Sequence, residues 1–341
     1  MNPALEPRWG FFVPLGPSYG IPCTQLPMWV NSVLVLHDER RLGLQWRRKV
    51  VAVFCRPISE ADLMKSFFVI VLLAAVSAPC WGQDWKASLT FHASFDEAAD
   101  ADYAKGDSKV YTAATVAREK VSPGLPKEGV RRLDRGGRHG GYLAFDEKID
   151  PVVMYRGKGN VALGSDSELT VSFWMKLDPA VDLPPGYVDP LQITDKKWND
   201  SSLFVDFTQE NPRQFRLGVF SDYRIWNPND TPWDDVAEKD RPMVPVSKLP
   251  FAADRWTHVV FTLKQVNANQ AGMANLYLDG KLQGELKDQL TFTWDPDQVA
   301  VMLGIYYVGG IDDFAIFNRA LTAEEVGQLL RLEEGVAGIR P

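Results

Sequence analysis

Between residues 87 and 317 the chain is built from short segments in which apolar and polar side chains alternate, and that period restricts what it can fold into. In LTVSFWMKLD, Leu169, Val171, Phe173 and Met175 fall on one side and Thr170, Ser172 and Trp174 on the other, the period of two that a pleated strand imposes. The pattern recurs in ASLTFHASF, GYLAFDE, SLFVDFT, QFRLGVF, WTHVVFTLKQV, ANLYLDGKLQGEL, VAVMLGI and IDDFAIF. Gly, Pro, Asn and Asp break these runs apart. The expected class is therefore all-β, an antiparallel two-sheet sandwich rather than alternating strands and helices.

Local signals place some of the joints. In LYLDGKLQG, Asp279 and Gly280 supply the positive backbone angles of a two-residue turn, which predicts a hairpin between residues 276–278 and 281–283. Helix is expected only near the C-terminus, where Thr322 and Glu325 form a capping box, Leu321 and Val326 staple across it, and Val326, Leu329 and Leu330 make an apolar stripe. Residues 178–190, DPAVDLPPGYVDP, are too rich in proline for a central strand. Residues 222–242 set Trp226 and Trp233 among acids and prolines in a long loop, the kind of segment that carries function on a rigid scaffold.

Upstream, MKSFFVIVLLAAVSAPCWGQ at residues 64–83 has a charged start, a short apolar middle and a small-residue end. That order is read by the secretion machinery, so residues 64–82 are expected to be a signal peptide, with Met64 as the start of translation. The apolar run is about half the roughly 20 residues that a membrane span needs. Residues 1–63 show no sustained period and read as an upstream extension without a fold of its own; a cytoplasmic arm before a signal anchor is the competing reading. Residues 83–341 are then one exported domain, with its core at about 84–334 and no membrane span.

Charge narrows the partners. The formal net charge is -7, and from residue 83 onward 29 basic side chains face 39 acidic ones. No basic field is available for a phosphate backbone, which excludes nucleic acid. Cys23, Cys55 and Cys80 all precede the expected cut after Gly82, so the exported part has no disulfide, thiolate metal site or cysteine nucleophile.

Four stretches, LTVSFWMKLD, RWTHVVFTL, LYLDGKLQGE and GGIDDFAIFNRALTAEEV, occur in an order and at separations that resemble the bacterial LamG-like jellyroll family of the concanavalin A-like lectin and glucanase superfamily. The last is the most specific. The resemblance covers most of residues 84–334 and implies two packed antiparallel sheets forming a jellyroll. It also implies a glycan or cell-envelope component as partner, and a structural calcium between the first strand region and the last. Matching groups are Asp96 or Glu97 and Asp312 or Asp313, oxygen donors of the kind calcium takes. The alternatives for the aspartate pair are exposure at a strand start or a partner in Arg319.

The chemistry expected is binding. The superfamily's glucanase branch carries Glu-x-Asp-x-Glu on one strand, and this sequence has no such triplet; the acids of DEKID at 146–150 are spaced differently. His92, His139 and His258 are the histidines of the exported part, and none sits in a recognisable triad. Trp198, Trp226 and Trp233 suit the apolar faces of sugar rings, with Trp294 a weaker candidate, and the loop residues Arg138 and His139 suit an anionic sugar. A structural or protein-binding envelope module, and a carbohydrate-active enzyme of the same superfold, are the alternative readings.

Overall fold

The computed structural model describes residues 87–162 and 164–341. The readings for residues 1–63 and for the signal peptide at 64–82 lie outside the described residues. In chain order the strands begin with β1 (Leu89–Ala93), β2 (Tyr103–Ala104), β3 (Tyr111–Ala113), β4 (Val121–Pro123), β5 (Val130–Leu133), β6 (Tyr142–Phe145), β7 (Val152–Arg156), β8 (Ser167–Lys176) and β9 (Val188–Lys197). They continue with β10 (Asp200–Phe207), β11 (Phe215–Phe220), β12 (Met243–Val246), β13 (Thr257–Val266), β14 (Gly272–Leu278), β15 (Lys281–Asp288), β16 (Ala300–Ile305) and β17 (Gly309–Phe317). A one-turn helix α1 (Tyr223–Trp226) interrupts the long loop, and α2 (Ala323–Leu329) follows the last strand.

The strands form two antiparallel sheets, the expected jellyroll sandwich. The first sheet has the order β15-β14-β13-β8-β17-β1-β2, with β6 and β5 attached beside β17; the second has the order β12-β11-β10-β9-β16-β7-β3-β4. Alternation decides which faces meet. Leu169, Val171, Phe173 and Met175 of β8 share one continuous core with Leu191 and Ile193 of β9 and Leu203, Val205 and Phe207 of β10. Each such side chain contributes about 1.5–3 kcal/mol on full burial.

The outer face of the first sheet is partly roofed. Val260, Tyr277, Ala315 and Phe317 pack under Leu321, just before the helix, and under Val326 and Leu329 of α2. The helix starts as expected, since Thr322 accepts from the Glu325 amide and Glu325 reaches back to the Thr322 amide. The hairpin turn is also as expected, with Asp279 at φ 48° and Gly280 at φ 72° between β14 and β15.

One loop assignment is corrected. Residues 188–190 belong to β9, which lies between β10 and β16, so Pro190 sits in a central strand. The β9–β10 register shifts between Val205 and Phe207, and that irregularity accommodates a residue with no amide to donate. Strand β7, from the unbroken apolar run VVMY, carries no alternation to reveal it.

Strand β17 organises the site. Its start, Gly309–Ile311, pairs with β6; its end, Phe314–Phe317, pairs with β1; β8 runs along the other side. Where the neighbour changes, the register against β8 slips between Asp312 and Ala315, and Asp313 takes φ 48°. This is a bulge, with one extra residue in the strand. Ile311 and Phe314 both stay in the core, so the extra residue turns Asp312 and Asp313 together onto the outer face.

Candidate functional site

The three loop tryptophans converge on the second sheet. Trp198 follows β9, Trp226 ends α1, and Trp233 lies in the next turn of the same loop. Trp198 and Trp233 meet edge to face at 5.3 Å, Trp226 and Trp233 at 6.4 Å, and all three surround Phe220 of β11. Phe204 of β10 stacks on Phe220 at 5.4 Å and so extends the aromatic surface along the strands. Asn199 O accepts from Trp226 Nε1 at 2.9 Å, and the Arg241 guanidinium lies 4.3 Å over Trp233, so two of the three rings are held from within. Trp198 is 40% exposed and gives the cluster its open surface. Trp294 is separate in role: it donates to Ser201 O at 2.6 Å and packs on Phe292.

The other expected site residues lie on the first sheet. Asp312 is 0% exposed and Asp313 3%, which removes the reading of an exposed pair; Arg319 pairs instead with Glu325 at 2.7 Å. Asp313 Oδ1 lies 2.7 Å from His92 Nε2, and its Oδ2 accepts from the Val336 amide at 3.1 Å. Asp312 Oδ2 accepts from the His139 amide at 2.9 Å, while Asp96 Oδ1 accepts from the Gly141 amide at 2.8 Å. Two carboxylates thus clasp one glycine loop, residues 137–141. Burial raises the Asp312 carboxyl to about 7, against the amide hydrogen bonds that favour its charge.

This geometry tests the calcium expectation. Asp96 and Asp312 converge on the same loop, and Asp312 Oδ1 is buried with no partner among the described residues, an orphan that a cation would satisfy. Asp313 is already engaged, and Glu97 is exposed. Among the described residues no three His, Cys, Asp or Glu side chains gather into a metal-holding group. Asp96 and Asp312 are the carboxylates that would contribute oxygens to such a site; calcium takes six to eight oxygen ligands, main-chain carbonyls among them.

The remaining histidines have structural surroundings. His258 Nε2 lies 2.9 Å from Ser172 Oγ and its ring stacks on Trp174 at 4.7 Å; burial lowers its pKa to about 3. Its Nδ1 has no orienting acid among the described residues, so the pair is not a catalytic triad. His139 is half-buried, burial lowers its pKa, and its ring meets the edge of Trp174 at 5.7 Å. Of the DEKID acids, Asp146 is paired with Arg131 on the surface at 2.6 Å.

One polar group was missed by sequence reasoning. Asp206 and Arg216 form an ion pair across the β10–β11 hairpin, through Nε at 2.9 Å, and Asp189 lies close enough that burial and the Asp206 charge raise its pKa well above the usual range. Aligning SLFVDF against FRLGVF would have placed Asp206 opposite Arg216.

With the fold and these groups in place, the class is a jellyroll sandwich carrying an aromatic surface. A laminin G-type family model, described as the concanavalin A-like lectin/glucanases superfamily, matches residues 156–327. The match spans half of the 341 residues, and the chain belongs to this superfamily. Among solved structures it is similar to domain 4 of AbnA, a GH43 extracellular arabinanase from Geobacillus stearothermophilus, in complex with arabinotriose. That likeness has a TM-score of 0.45 and 15% identity over 72% of this chain and 98% of that one. It is also similar to the binding domains of Paraclostridial Mosquitocidal Protein 1 and of botulinum neurotoxin serotype G, each with a TM-score of 0.44 and 14% identity over 71% of this chain. The chain spans about half the length of those two, 51% and 50%. No curated protein matches the chain.

Proposed function

We propose that this protein is an exported, non-catalytic module that binds a glycan or another extracellular surface ligand through the tryptophan cluster. The observation that supports it is the convergence of Trp198, Trp226 and Trp233 around Phe220, with Trp198 40% exposed. Sugar rings have apolar C–H faces, and large, stiff aromatic side chains cover them with little loss of rotamer freedom. The carbonyl and guanidinium contacts on Trp226 and Trp233 hold the cluster before any ligand arrives.

Those same internal contacts favour a second reading, a structural or protein-binding envelope module whose tryptophans are a lid over the sheet edge. A glycan array separates the two. On neutral glycans, wild type gives a signal that Trp198→Ala and the Trp226→Ala/Trp233→Ala pair abolish if the first reading holds; no signal on any neutral glycan sinks it, and release of reducing sugar identifies an enzyme.

The proposal includes a structural calcium at Asp96 and Asp312, supported by the unpartnered Asp312 Oδ1. When bound, the cation ties the glycine loop to the junction of β1, β6 and β17 by charge rather than by amide contacts alone.

A further inference from the structure

Away from the tryptophan cluster, the outer face of the first sheet carries a compact surface of cations and aromatic rings. Trp174 and Lys176 occupy successive outward positions on β8, about 7 Å apart by strand geometry. Gly310, beside Lys176 on β17, has no side chain, and two rings close over it: a Cβ there would lie 2.7 Å from Trp256 Cη2 and 3.1 Å from Tyr142 Cδ2. The Tyr142 and Trp256 rings meet at 5.3 Å and 80°. The Lys176 ammonium stands 5.5 Å from the Tyr142 centroid and 4.9 Å from that of Trp256, and the Arg138 guanidinium stands 4.9 Å over Trp174.

The loop that presents Arg135 and Arg138 is fixed in place. Gly136 O accepts from Trp256 Nε1 at 3.0 Å, and the His139 and Gly141 amides are held by Asp312 and Asp96. Arg135 and Arg138 are exposed, and Lys176, Tyr142 and Trp256 keep part of their surface open. Neighbouring Arg131 and Arg132 are neutralised by Asp146 and Asp134. Among the described residues, Arg135, Arg138 and Lys176 have no carboxylate partner. Two of these cations stand over rings, and with Arg135 they give this patch a local positive charge on a chain of net charge -7.

We infer that this surface binds an acidic polysaccharide, at a site separate from the tryptophan cluster. Lys176, Arg138 and Arg135 take the carboxylate or sulfate of the sugar, and the Tyr142 and Trp256 rings take its apolar face. Guanidinium groups match planar or forked oxyanions with two parallel hydrogen bonds, and side chains already held against rings surrender little freedom on binding. A nucleic acid is disfavoured, because its dense phosphates call for an extended basic field and these three cations sit on an acidic protein.

The test is electrophoretic retardation in gels containing polygalacturonate, dextran sulfate or neutral dextran, with the Lys176→Gln/Arg138→Gln protein beside wild type. Glutamine keeps most of each stem on its ring while removing the charge. Wild type is retarded by polygalacturonate, dextran sulfate or both, and not by neutral dextran; which polymer acts tells carboxylate from sulfate recognition. The double variant binds about tenfold or more weakly at an unchanged melting temperature. Trp198→Ala leaves this binding intact, so failure here and failure of the tryptophan site are read separately. The inference is overturned by no retardation in either acidic polymer, by retardation that survives the double substitution, or by equal retardation in single-stranded DNA.

Discussion

His92 and Asp313, 221 positions apart in the chain, meet with 2.7 Å between Nε2 and Oδ1 in a site where they are 0% and 3% exposed. Only the pairing of β1 with β17 brings them together. Each is the other's main partner away from water, so removing one strands the other. Asp313→Asn and His92→Leu are each expected to cost about 3 kcal/mol in denaturant unfolding, and the double variant less than the two together. Strictly additive losses would show that the pair is not coupled.

The Asp312 orphan makes calcium testable through pH. In metal-free protein burial raises the carboxyl to about 7 when folded, against its ordinary value of 3.8 when unfolded. A raised carboxyl means that the folded state holds its proton longer, so stability falls as pH rises from 3.8 to about 7 and then stays level. Calcium holds the charged form and should flatten that limb, and the melting temperature at pH 7.5 should drop on adding EDTA. An EDTA-insensitive midpoint removes the cation from this account.

For the tryptophan cluster, exposure ranks the substitutions. Trp198→Ala removes the open ring and should abolish binding of neutral glycans, with a melting temperature within a few degrees of wild type. Trp226→Ala also frees Asn199 O and opens a gap beside Phe220, so it should lower stability by about 2–4 kcal/mol as well. Equal binding by wild type and Trp198→Ala would transfer the role elsewhere.

His258 gives an acid limb of opposite sign to that of Asp312. Its folded pKa is lowered to about 3 from 6.5, so the unfolded state takes up the proton first as pH falls below 6.5. The loss reaches about 2 kcal/mol at pH 5 and continues toward pH 3. Trp174, Ser172, His139, Arg138 and Asp313 surround the ring, so the clean readout is the difference between wild type and His258→Gln. That difference should shrink steadily between pH 7 and pH 4; a constant one would mean that His258 does not titrate as its burial dictates.

What could be read from the sequence was whatever neighbours encode. The alternation of β8, the Asp279–Gly280 turn and the Thr322–Glu325 box are local patterns, and each appears where its residues stand. Strand β9 was partly hidden because Pro190 argues locally against a strand, while the register slip that tolerates it belongs to a partner strand. Asp312 and Asp313 stand side by side in the sequence, yet their burial depends on β1, β6 and a glycine loop far away in sequence. The gathering of Trp198 with Trp233, and of Lys176 with Tyr142 and Trp256, likewise follows from sheet order rather than from spacing.

The seating of β1 against β17 also governs timing. Until the final strand exists, β1 has only the two-residue β2 beside it, and the first sheet stays open along the seam where the aspartates will sit. Such distant pairing makes folding slow, so most of the polypeptide must be synthesised before its two layers can close.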